Sequence, residues 1–282
     1  MPSTYAHFVF GKKVYKKQPK KIQELIKKHR ELYLIGIHGP DILFYYKALT
    51  SNSVNSVGFG LHEKPSIDFF SHGLELLQKK TSDQDAMLSY LLGFLCHFAL
   101  DSTCHGYIEN KIQVSGISHT EIEVEFDRML MENDGYDPLR HCLTKHIRPK
   151  MENAEIIAPF FPELSARQIQ KSLKSMISYN QLLLAPQEWK RRLIYSVLRI
   201  SGNYPQMHGL IVNKAANPKC ADSNLRLEKL MDKAISLCLK LTENYLSAMT
   251  DKKNLSSYFD KTFGPGKDWK SIPVYYNFSE SQ

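Results

Sequence analysis

Between Leu91 and His105 the chain reads LLGFLCHFALDSTCH, an apolar run interrupted at every fourth position by His97, Asp101 and His105. On an α-helix a step of four residues advances about 400°, so these side chains drift by only about 40° per step and share one face. Leu91, Leu92, Phe94, Leu95, Phe98, Ala99 and Leu100 make the remaining faces apolar, which predicts an interior helix. An ionised aspartate at such a place is costly unless a cation or a metal pairs with it. A buried Asp–His pair that merely ties helices together would satisfy the same pattern.

A second segment, SHTEIEVEFDRML, sets His119 and Glu123 four residues apart, again on one face, beside Phe126, Met129 and Leu130. Imidazoles and carboxylates gathered from two helices are ligands of the type that binds zinc. Three upstream residues offer the same chemistry: His7, Asp41 in HGPDILFYY and His62 in GFGLHEKPSIDFF. Each also has an ordinary reading: a surface histidine, a helix start after Pro40, and a cap on the following helix. His72 is a rival for His62; His38, three residues before Asp41, is read as structural with a donor role behind the ligands as the alternative, His29 belongs to the basic helix, His141 and His146 are five apart and share no face, and His208 stands alone in a turn-rich loop. The five cysteines, at 96, 104, 142, 220 and 238, form no CxxC pair and predict no disulfide framework. Cys96 and Cys104 diverge by about 100° from the neighbouring histidines and are read as small apolar core residues.

Elsewhere glycine and proline are sparse, and apolar residues recur at three- and four-residue intervals. Helices are expected near 18–34, 41–50, 64–80, 83–108, 117–133, 138–150, 165–183, 186–201 and 223–249, which makes the chain all-α. Ser82 or Thr81 is the expected N-cap before Asp83, and Ser118 with Glu121 forms a capping box. SNSVNSVGFG and VNKAANPKCADSN read as loops. The 282 residues allow one large domain or two. A single helical domain over 1–282 is expected, with the candidate ligands inside 1–125, a helical C-terminal half and a surface tail over 264–282.

Apolar residues make up 43% of the chain, no eighteen stand in succession, and the opening residues lack the pattern of a secretory signal. The expectation is a soluble, cytoplasmic protein without a transmembrane span. Its net charge of +8 is uneven, because GKKVYKKQPKKIQELIKKHR holds eight lysines and an arginine against one glutamate. Such a run is either a solvated helix face or a surface, over 12–30, for an anionic partner such as phospholipid headgroups or nucleic acid. No dedicated nucleic-acid motif accompanies it.

The order His7, Asp41, His62, His97-x3-Asp101-x3-His105 and His119-x3-Glu123 resembles the zinc-dependent phospholipase C family and, more distantly, the S1/P1-type nucleases. MPSTYAHFVFG, GPDILFYY and YLLGFLCHFALDSTCHGYIE resemble that family as whole phrases across roughly the first half of the chain. The resemblance implies an all-α fold with His97, Asp101, Asp41 and His62 on one zinc and His105, His119 and Glu123 on a second. A third zinc would use His7, with Asp101 bridging two metals. In the secreted relatives that third site also uses an N-terminal tryptophan, whereas this chain begins Met1-Pro2-Ser3.

With zinc bound, such a site is net cationic and suits a phosphoester, whose nonbridging oxygens gain charge as it is attacked. The resemblance implies cleavage on the glycerol side of a phospholipid, giving diacylglycerol and a phosphorylated headgroup, with Asp41 as both ligand and general base. A nuclease acting on single strands, with basic and aromatic residues near one another, is the first alternative. A noncatalytic helical module stabilised by metal is the second.

Overall fold

The buried helix of the His97–Asp101–His105 ladder organises the computed structural model, which describes residues 4–79, 82–251 and 254–274. In chain order the α-helices are α1 (Thr4–Lys17), α2 (Lys20–Lys28), α3 (Arg30–Gly36), α4 (Ser53–Glu63), α5 (Ile67–Gln78) and α6 (Gln84–Ser115). They continue with α7 (His119–Asn133), α8 (Met151–Ile157), α9 (Ala166–Leu183), α10 (Glu188–Ile200), α11 (Tyr204–Met207) and α12 (Ala221–Asp251). A 3₁₀ segment, Gly39–Tyr45, follows α3. No strand occurs among the described residues, so the fold is all-α.

Helix α6 is apolar all round because it is surrounded: α3 packs on one side, α12 on another, and α1 and α7 close the face that carries the ladder. It is long and apolar enough to cross a membrane, yet 89% of its most apolar window is buried inside the protein. One continuous apolar core runs from Tyr5 in α1 to Phe263 after α12. All five cysteines are unpaired; Cys96 and Cys104 are buried in α6, as expected of small apolar fillers, and the thiol of Cys104 is pushed up by burial.

Two glycines bring the Asp41 segment to the ladder. A Cβ on Gly93 of α6 would lie 2.3 Å from the carbonyl oxygen of Tyr33, and one on Gly36 of α3 would lie 2.2 Å from that of Tyr90. The two backbones therefore meet where only glycine fits. Just beyond, Gly39 adopts φ +51°, and a Cβ there would strike the His97 ring at 2.3 Å. The turn lays Pro40 and Asp41 directly over His97.

Several expected boundaries shift. The helix expected at 18–34 breaks at His29, whose carbonyl accepts a hydrogen bond from Ser89 Oγ at 3.1 Å. The helix expected at 41–50 is only the 3₁₀ segment, and 138–150 forms turns anchored by Asp137 and Thr144 instead of a helix. The stretch SNSVNSVGFG, expected as a loop, is mostly helix α4, because Asn52 and Asn55 form a capping box rather than a turn. Helices α1 and α8 were not expected. At α6 the N-cap position is Asp83, without a side-chain cap bond, and Thr81 lies outside the described residues. Ser118 caps α7 by accepting from the Glu121 N–H at 3.3 Å, one half of the expected box.

Ahead of the tail expected at 264–282, the residues that follow α12 pack into the fold. Ser66 at the start of α5 holds them through the carbonyls of Lys261 and Phe259, at 2.9 Å each, and buries Phe263 against the ladder. Residues 264–274 then run along α6, where Asn110 donates to the Ile272 carbonyl at 2.6 Å. The rest of the tail, 275–282, lies outside the described residues.

Candidate metal centre

Asp101 sits at the middle of the site with its two oxygens facing different histidines. Oδ1 is 3.2 Å from His7 Nε2 on α1, while Oδ2 is 3.0 Å from His97 Nε2 and 3.7 Å from His62 Nε2 on α4. Asp41 Oδ1 stands 3.2 Å from His62 Nε2 and 3.8 Å from His97 Nε2. Four residues along α6, His105 Nε2 lies 3.5 Å from Glu123 Oε1, which is also 3.2 Å from His119 Nε2. The donors fall into three groups: His7, His97 and Asp101; Asp41, His62 and His97; and His105, His119 and Glu123. Within each, the potential ligand atoms lie within 4.8 Å of one another.

The structure thus brings together all eight residues singled out in the sequence, and separates their rivals. His72 Nε2 is engaged by the Pro159 carbonyl at 2.9 Å, so of the two competing histidines it is His62 that reaches Asp41. His38 does not join the ligand groups; its Nε2 pairs with His146 Nε2 at 2.7 Å. One of these nitrogens donates and the other accepts, so at least one of the two rings is neutral. Burial depresses both, His38 well below the usual histidine range and His146 to about 3. His141 packs against Tyr136 with the rings tilted by 33°, and His208 Nδ1 is 2.8 Å from the Tyr204 carbonyl.

Three features fit the groups to metal ions. First, two of the ring nitrogens that face carboxylates, His97 Nε2 beside Asp101 and His119 Nε2 beside Glu123, are buried atoms with no hydrogen-bond partner. Leaving such atoms unpaired is costly unless something else binds them. Second, the tautomers are set from behind. The Gly58 carbonyl accepts from His62 Nδ1 at 2.9 Å, and the Phe263 carbonyl accepts from His105 Nδ1 at 2.6 Å, so in both rings the Nε2 lone pair faces the site. Third, the buried carboxylates stay ionised. Burial alone would raise Asp101, but His97 and His105 beside it hold it well below the carboxylate range. Glu123 is likewise held well below by His119 and His105 against its burial, and Asp41 is lowered against its own burial with help from His97 and His62. Three anions at one end of an apolar helix call for cationic partners.

Histidine protonation follows the same fields. Burial keeps His97 below its usual value, although Asp101 opposes it. At His105 burial also lowers, but Asp101 and Glu123 outweigh it and push the ring up to about 9. Any metal at that group must displace this proton.

Two positioning residues escaped the sequence reading. Asp127, one turn beyond Glu123 on α7, accepts from the Tyr5 and Ala6 N–H groups at 2.9 and 2.7 Å and so caps α1 from another helix. That cap fixes His7 opposite Asp101. The other is Phe263, which acts through its backbone carbonyl and gives no side-chain signal; its ring packs 5.9 Å from that of His97.

Histidine and carboxylate donors lining a buried helix of an all-α fold, taken with the family match, support a zinc phosphoesterase of helical type. The chain belongs to the zinc-dependent phospholipase C family, whose pattern, described as zinc dependent phospholipase C, matches residues 6–176 and spans all eight donors. No curated protein and no solved structure matches the chain.

Proposed function

We propose that the protein is a phospholipase C-like enzyme that cleaves the glycerol-side phosphoester of a phospholipid, releasing diacylglycerol and a phosphorylated headgroup. The observation that carries this reading is the division of Asp101, one oxygen toward His7 and the other toward His97 and His62. A carboxylate placed in this way is suited to bridge two ions, and the group of Glu123 would hold another. His7, Asp41, His62, His97, Asp101, His105, His119 and Glu123 are the proposed zinc ligands. Zinc, when bound, supplies Lewis acidity to a phosphoryl oxygen and makes water acidic enough to attack near neutral pH.

The chain's own residues do the rest. Asp41, ionised beside His62, is placed to take the proton of the attacking water while its ring partners hold it in position. Phe44 and Phe59, stacked at 4.4 Å, form an apolar wall beside His62, and Phe59 is half exposed, so the site has one side suited to organic substrate rather than water. On the other side His119 is partly open to solvent. The cations of segment 12–30 extend the reading to peripheral contact with anionic lipid: Lys12, Lys16, Lys27 and Arg30 line a groove of about 310 Å³ over Tyr33 and Leu34.

The test is metal analysis of the purified protein followed by a substrate panel. Diacylglycerol released from a phospholipid by the zinc-loaded protein supports the proposal. Nucleotides released from single-stranded oligonucleotides, with lipid untouched, would reverse it.

A further inference from the structure

Helix α10 is apolar on two faces, one packed and one exposed. Its sequence, EWKRRLIYSVLRI, places Arg191, Ile194, Tyr195 and Leu198 on one face and Trp189, Leu193, Val197 and Ile200 on the other. In a globular protein the apolar face packs and the charged face is solvated. Here Arg191 is buried, its Nη2 donating to the carbonyls of Ala185 and Val212 at 3.2 and 2.8 Å. Meanwhile Trp189 is 69% exposed, Leu193 58%, Val197 56% and Ile200 88%. On the helix these four fall within about 80° of one another, a continuous stripe. Single exposed apolar residues need no explanation, but a contiguous stripe with a tryptophan marks a contact surface.

We propose that this stripe is a docking surface for an anionic phospholipid bilayer, with α10 lying in the plane of the headgroups. Charge and size point to this occupant. The helix carries Lys190, Arg191, Arg192 and Arg199 against the single carboxylate of Glu188. By helical geometry Lys190 flanks one side of the stripe, held by the carbonyls of Gln181 and Leu184, while Arg192 and Arg199 flank the other; the Arg192 side chain is 79% exposed and its 3.2 Å pair with Glu188 is a surface pair weak enough to be exchanged for a lipid phosphate as the apolar groups enter the acyl boundary. Tryptophan at one end of such a stripe matches the preference of its ring for the membrane interface. A second copy of the chain fits poorly, because four side chains of one helix are far fewer than the roughly 20–30 residues a side of a standard protein interface. The inference rests on the lipid reading above for the sense of a bilayer as partner, but its evidence is separate from the metal centre.

The sequence has two tryptophans, so Trp269→Phe leaves Trp189 as the sole reporter. Its emission is followed as vesicles of phosphatidylcholine, with and without phosphatidylglycerol, are added to the full-length protein. The expected result is a blue shift with the anionic vesicles and quenching when their acyl chains are brominated. Leu193→Glu with Val197→Glu, at exposed positions that leave the helical circular dichroism intact, lowers partition by about tenfold or more. Unchanged emission overturns the inference, and so does a blue shift that grows with protein concentration without lipid and tracks a dimer in sedimentation. Hydrolysis of a short-chain phosphatidylcholine below its micellar concentration separates the two claims. Soluble-lipid hydrolysis without vesicle binding overturns the docking surface alone, and vesicle binding with no lipid hydrolysis supports it while overturning the proposed activity.

Discussion

The donors around Asp101 and those around Glu123 are assembled in different ways. The first draws side chains from α1, the Gly39–Tyr45 segment, α4 and α6, and all of them except His62 are buried. The second needs only α6 and α7, and the side chain of His119 is 39% exposed. One is therefore a product of the whole tertiary fold, closed and rigid. The other is a helical i,i+4 pair met by a neighbouring helix, with a side open to solvent. The difference teaches that metal and fold should be tightly coupled at Asp101 and loosely coupled at Glu123.

The largest test of that contrast is Asp101→Asn. It should remove zinc from the His7 group and weaken it at the neighbouring His62 group, which Asp101 is proposed to bridge, and lower kcat by about 10²–10³-fold or more, read by metal analysis and product release. Full zinc content with full activity would contradict the bridging role. Next in size is Gly93→Ala, whose Cβ would press on the Tyr33 carbonyl and push α3 away from α6. A loss of about 1–3 kcal/mol in urea unfolding is expected, with weaker zinc retention at Asp41 and little change at Glu123.

Acid should probe the closed side as well. His38 and His146 are paired just behind it, and the folded pKa of His146, near 3, lies below its ordinary 6.5. Their contribution is complete above about pH 6.5 and is lost as pH falls, because the unfolded chain takes up protons that the folded one refuses. The expected slope is up to about 1.4 kcal/mol per pH unit for each histidine, and His146→Gln should flatten it in unfolding measured from pH 6.5 to 5.5. The smallest effect belongs to the open side: His119→Ala should abolish one zinc while changing the stability of the metal-free fold by less than about 0.5 kcal/mol.

The same contrast explains what the sequence disclosed. The pairs His97–Asp101, Asp101–His105 and His119–Glu123 were legible because helical spacing places them without tertiary help. The grouping of His7, Asp41 and His62 came from resemblance to a family, since nothing local joins residues so far apart in the chain. What joins them is backbone: the Gly36–Gly93 contact, the left-handed turn at Gly39, and the Asp127 cap on the N–H groups of Tyr5 and Ala6. Helix α1 was missed for that reason, its cap being supplied from 121 residues away. Helix α4 was missed because asparagine and serine serve both turns and caps, and only the structure shows which. Phe263 gave no signal because its contribution to His105 is a main-chain carbonyl. Met1, Pro2 and Ser3, where the secreted relatives carry the tryptophan of the third site, lie outside the described residues.

The central claim is that these three groups hold zinc, and anomalous diffraction at the zinc edge from crystals of the zinc-loaded protein tests it most directly. The account predicts one peak among His105, His119 and Glu123 and at least one more beside Asp101, within bonding distance of His97. Zinc located elsewhere, or no peak beside Asp101 in protein that retains phosphoesterase activity, would contradict it.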